Sequence, residues 1–81
     1  MDSSKTVVYI EDDPDMINLI KFILRTKSIT LVGAIGAREG LETLRRVKPD
    51  LLLLDLMMPE IHGWEIMQQI RSDEDLKHLP V

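Results

Sequence analysis

Four consecutive leucines, Leu51 to Leu54, constrain the fold of this chain more than any other stretch. A strand without polar alternation has two faces to bury, and such strands belong to parallel sheets sandwiched by helices. Pro49-Asp50 leads into the run and Asp55 follows it directly; Met58-Pro59 and Gly63 then mark a loop before the next amphipathic stretch. Ligands of open α/β sheets bind at the carboxyl ends of the strands, so Asp55 is the leading candidate for a functional side chain. An aspartate after an apolar run is also a common cap or turn residue. A second acidic cluster shifts the weight toward function.

That cluster ends the first apolar run. Thr6 to Ile10 reads as a short β-branched strand, and Glu11-Asp12-Asp13-Pro14-Asp15 follows it. Asp13 is placed to cap a helix with Pro14 in its first turn, and Asp15 suits the positive end of the helix dipole. Glu11 and Asp12 are left without a structural explanation. The helix from Pro14 to Thr26 carries Met16, Leu19, Ile20 and Ile23 as its expected core stripe, broadened by Ile17 and Leu24, with Phe22 on the flank. Ile29 to Ile35 reads as a weaker strand at the sheet edge. Gly33, Gly36 and Gly40 lack the spacing and the following Lys-Ser/Thr of a phosphate loop, so they are expected in turns and close packing. Leu41, Leu44 and Val47 line a second helix over Ala37 to Val47, with Glu39, Arg45 and Arg46 solvated. Trp64, Ile66, Met67 and Ile70 line a third, ending near Ser72. Asp73 to His78 is a polar connection, and Leu79-Pro80-Val81 reads as the opening of a fourth strand.

The pattern is β-α-β-α-β-α, which calls for right-handed crossovers and a parallel sheet. With 81 residues it is one domain or less, and a hydrophobic content of 44% argues for a packed core. A net charge of −4 without a basic run argues against direct nucleic-acid binding. The absence of cysteine removes disulfides and thiolate metal sites and fits a reducing cytoplasm. The apolar runs are too short to span a bilayer, and the expectation is a soluble, cytoplasmic protein without a membrane partner. His62 and His78 have no partner at metal-ligand spacing, and Met57, Met58 and Met67 read as core filler.

If the first and third strands are neighbours, Glu11, Asp12 and Asp55 converge. Three carboxylates so placed need a cation or added protons to offset their repulsion, and hard oxygen ligands of this kind suit Mg²⁺. Mg²⁺ beside an aspartate favours a phosphoryl group, and an aspartate can itself be the acceptor.

Val8 to Asp15 (VYIEDDPD) and Pro49 to Pro59 (PDLLLLDLMMP), with Gly63 beyond, together resemble the receiver domain of two-component response regulators. The resemblance runs along essentially the whole chain. It implies a flavodoxin-like doubly wound sheet cut to three strands in the order 2-1-3, with residues 1–81 as the N-terminal portion of one receiver domain ending at the start of the fourth strand. It also implies a phosphoacceptor signalling module, not an enzyme. Asp55 would take a phosphoryl group from a histidine kinase or phosphotransfer protein. Mg²⁺ would be held by Asp12, Asp55 and the main-chain carbonyl of Met57, with Glu11 acting through water.

Complete receivers resemble five-stranded domains with a Ser or Thr after strand four and a Lys after strand five, and these 81 residues contain neither; Lys77 lies before the fourth strand and is no substitute. Removing two strands leaves Leu51 to Leu54 as an open apolar edge, which predicts a homo-oligomer formed through that strand. A second reading follows, a non-phosphorylating dimerisation or interaction module built from a receiver fragment. A third, an aspartate-nucleophile phosphohydrolase, is disfavoured because Met57 stands where that class wants a second acid.

Overall fold

The computed structural model describes residues 5–55 and 63–81. Three strands and three helices alternate along them: β1 (Lys5–Glu11), α1 (Pro14–Arg25), β2 (Ile29–Ile35), α2 (Gly36–Val47), β3 (Leu51–Leu54) and α3 (Gly63–Ser72). The sheet is parallel with the order β2-β1-β3, so the carboxyl ends of all three strands share one edge.

Local chemistry sets the element ends. Asp13 caps α1 by accepting a hydrogen bond from the Asp15 amide at 2.9 Å, with Pro14 directly after it. The Thr26 hydroxyl closes the same helix by donating to the Ile23 carbonyl at 2.8 Å. Glu39, expected to be solvated, reaches back to accept from the Ile35 amide and so satisfies a donor that the start of α2 leaves orphaned. Lys48 ends α2 in the left-handed conformation, its N–H donating to the Leu44 carbonyl at 3.0 Å. Asp50 then grips Thr6 twice: its amide donates to the Thr6 carbonyl at 2.8 Å and its carboxylate accepts from the Thr6 amide at 2.9 Å. This fixes the register in which Ile10 lies opposite Leu54.

The sheet faces are covered unequally. Val8, Ile10, Ala34 and Leu52 point to the side of α2 and α3, where they form the main core with Leu44, Ile66 and Ile70, all fully buried. Val7 and Leu31 point to the other side, where α1 supplies Ile17. Gly33 and Gly40 are the close-packing glycines: a side chain at Gly33 would strike Ile17, and one at Gly40 would strike Ile10.

Two expectations are corrected. The packed stripe of α1 is Ile17 with the half-buried Ile20 and Leu24, whereas Met16, Leu19 and Ile23 are exposed. Apolar residues span about 220° of the helix, with Asn18, Lys21 and Arg25 on the remainder, and the notch at Gly33 selects which side seats. In β3 only Leu52 is fully buried; Leu51 and Leu53 are intermediate because α1 packs over β1 and β2 and leaves that side of β3 partly bare, and Leu54, on the side of α2 and α3, is intermediate as well. Residues 79–81 form no strand, but the Pro80 carbonyl accepts a 2.9 Å hydrogen bond from Leu52 on the outer edge of β3.

Candidate functional site

Strand alternation puts Val7, Tyr9 and Glu11 on the α1 side of β1. Glu11 is the last residue of β1 and is only 9% exposed. Asp12 follows in the bend before α1 and is exposed. Asp55 is delivered from the neighbouring strand: its amide donates to the Ile10 carbonyl at 3.1 Å, which continues the ladder by one step and sets Asp55 beside Glu11. One carboxylate oxygen from each of Glu11, Asp12 and Asp55 lies within 4.8 Å of the others.

Burial raises the Glu11 carboxyl above its ordinary value of 4.5, and the charge of Asp55 raises it further. Hydrogen bonds with the Asp55 and Asp12 carboxyls act in the same direction, while the Tyr9 hydroxyl, donating to Glu11 at 3.2 Å, opposes them. Tyr9 is itself raised above 10.0, by burial first and then by the Glu11 charge. Crowded carboxylates of this kind favour either a proton or a cation between them. An octahedral Mg²⁺ with oxygens at about 2.1 Å places adjacent ligands about 3.0 Å and opposite ligands about 4.2 Å apart, so carboxylate oxygens within 4.8 Å of one another are near enough to converge on one ion after small side-chain shifts. The donor set also fits, being oxygen throughout.

The remaining acids divide as the sequence predicts. Asp13 is occupied as the α1 cap and Asp15 sits in the first helical turn. Met57, whose carbonyl was expected to join the metal site, lies outside the described residues, as do Met58, Pro59 and His62; His78 is exposed. Beside the cluster, an open groove of about 460 Å³ runs between Met16 and Ile20 of α1 and Leu53 of β3, with Tyr9 and Asp55 at its acidic end.

The family model of the response regulator receiver domain matches residues 7–81. The chain belongs to that family. Receiver domains are the signalling modules of two-component phosphorelays. The chain is 39% identical over 75 residues to the hybrid signal transduction histidine kinase D of Dictyostelium discoideum, covering 93% of this chain and 5% of that protein. It is 30% identical over 78 residues to the polar-differentiation response regulator DivK of Brucella ovis, covering 96% of this chain and 63% of DivK. Among solved structures, the N-terminal domain of a response regulator receiver protein from Methanoculleus marisnigri JR1 superposes with a TM-score of 0.91 at 31% identity, over 95% of this chain and 63% of that one. The response regulator TrrA of Thermotoga maritima, in complex with Mg²⁺-BeF, superposes with a TM-score of 0.79 at 28% identity, over 86% and 61% of the two chains. The receiver chain thus spans less than two thirds of DivK and of these structural neighbours.

One residue of the receiver site escaped the sequence reading. The sequence marks Tyr9 as a strand residue only, yet its hydroxyl donates to Glu11. The signal was present, since residues two apart in a strand share a face.

Proposed function

We propose that this receiver domain accepts a phosphoryl group on Asp55 from the phosphohistidine of a histidine kinase or phosphotransfer protein. A carboxylate oxygen of Asp55 attacks phosphorus in line, the phosphorus–nitrogen bond breaks, and the imidazole leaves with its electron pair. Asp12 and Asp55 hold Mg²⁺ with the Met57 main-chain carbonyl, and Glu11 contributes through water. The ion supplies positive charge against the incoming phosphoryl oxygens.

The observation that carries this reading is the delivery of Asp55 by the β3–β1 ladder to within 4.8 Å of Glu11 and Asp12. The Mg²⁺-BeF complex of the structurally similar TrrA supports an ion in this pocket. Glu11, nearly buried and raised in pKa, is the acid least suited to a direct charged contact, which fits a water-mediated role.

The test is Mg²⁺-dependent labelling with acetyl phosphate, read by intact mass. The expected result is a gain of one phosphoryl group that requires Mg²⁺ and is absent in Asp55→Asn. No gain in the wild-type chain would remove the acceptor reading and leave the interaction-module reading in its place.

A further inference from the structure

Given the Mg²⁺ pocket proposed above, on which this inference rests, we propose that Tyr9 is a positioning residue for the ion. Its hydroxyl holds the Glu11 carboxyl in the orientation from which Glu11 serves the ion's water, and so sets how tightly this receiver binds Mg²⁺.

The contact lies within one strand. Tyr9 and Glu11 are two apart on β1 and share its α1 side, and the Tyr9 hydroxyl donates to Glu11 Oε2 at 3.2 Å. A phenol titrates near pH 10, so at neutral pH the hydroxyl carries the proton it donates. Because both partners belong to β1, the bond does not depend on what adjoins the sheet. It also ties the pocket to the core behind it. The Tyr9 side chain packs against the cluster of Val7, Ile17 and Leu31. Its register partner on β2 is Gly33, and Ile17 fills the space that a side chain at Gly33 would take.

The two partners differ in stiffness. Glutamate has a long side chain whose last torsion is broad, and ordering it costs rotamer freedom; a tyrosine ring has fewer torsions, and packing holds this one. A hydrogen bond from the stiff partner fixes the loose one before the ion arrives. Part of the ordering that an ion would otherwise have to impose on Glu11 is then already present, and binding is tighter for it. Packing alone would ask only for the ring. Tyr9→Phe separates the two roles, since it keeps the ring and removes the donor.

Backbone amide resonances, followed as MgCl₂ is added at constant ionic strength, give the dissociation constant. Tyr9→Phe is expected to weaken Mg²⁺ binding about three- to tenfold, less than the roughly 10–100-fold typical for the outer partner of a direct ligand, because Glu11 acts through water. Glu11→Leu removes the acceptor with a side chain that suits a position only 9% exposed. In that background Tyr9→Phe should change the constant less than about twofold. The chain has one tyrosine, so an isotope label on the ring carbon that bears the hydroxyl gives one resonance. It is expected to move along the same MgCl₂ curve as the pocket amides. Equal or tighter binding by Tyr9→Phe overturns the proposal, as does a tyrosine resonance that stays fixed while the pocket amides move. So does an equal loss in the Glu11→Leu background, which would place the action of the hydroxyl elsewhere than on Glu11. A wild-type chain without a saturable Mg²⁺ response overturns the ion reading itself and this proposal with it, an outcome distinct from the other three.

Discussion

Glu11 is the residue at which structure and chemistry pull hardest against each other. It ends β1 nearly buried, beside Asp55 and Asp12, so the fold favours its protonated form and raises its pKa above 4.5. For an acid raised on folding, the stabilising contribution is complete below the unfolded value and is lost as pH climbs through the folded one. In EDTA, the urea midpoint of the wild-type chain is therefore expected to fall more steeply than that of Glu11→Gln as pH rises above the ordinary carboxyl value of 4.5. Parallel curves for the two proteins would show that Glu11 carries no such strain. The three acids of this cluster were legible in the sequence, because an acidic residue after each of two neighbouring parallel strands must end at one sheet edge. The proton balance was not legible, because it depends on the burial of Glu11 and the approach of Tyr9, both of which arise from packing.

At the scale of the element, α1 shows where periodicity alone runs out. Seven apolar residues, Met16, Ile17, Leu19, Ile20, Phe22, Ile23 and Leu24, leave more than one possible seam: the expected stripe holds Ile20, Ile17 and Leu24, which seat, but also Met16, Leu19 and Ile23, which do not. The deciding residue lies on another strand: Gly33 of β2 leaves the notch that Ile17 fills. The edge position of β2 and the Asp13 cap could be read directly, from composition and from a local motif, whereas the strand order came only with the resemblance to receiver domains. The α1 seam needed a contact between distant segments. Ile17→Ala is expected to cost about 2–4 kcal/mol, against less than about 1 kcal/mol for Leu19→Ala. Urea unfolding of both variants decides between the two seams, and a reversed order would place Leu19 in the core. Gly33→Val is expected to destabilise as well, by pushing Ile17 from its seat.

Across the whole molecule, the site lies on the seam between β1 and β3, the two strands that share the Leu run's ladder. Glu11 and Asp12 arrive from one side of the seam and Asp55 from the other, so an ion held among them clamps two strands that are 44 residues apart at Glu11 and Asp55. A domain of this size has little stability to spare, and a ligand that binds only the folded state adds directly to it. At Mg²⁺ about a hundredfold above its dissociation constant the gain is about 2.7 kcal/mol, which for so small a domain is a rise of roughly 10–20 °C in Tm. Thermal melts followed by circular dichroism across a MgCl₂ titration measure it. Asp12→Asn and Asp55→Asn should each remove most of the rise, because each takes away a carboxylate proposed as a direct ligand. Asp13→Asn should keep it, since asparagine caps a helix about as well as aspartate and Asp13 is already committed to the Asp15 amide. Equal loss in Asp13→Asn would mean that the four acids between Glu11 and Asp15 act as one diffuse negative patch. A retained response there, with loss at Asp12 and Asp55, would mean that the fold separates a helix cap from a metal pocket within three consecutive residues.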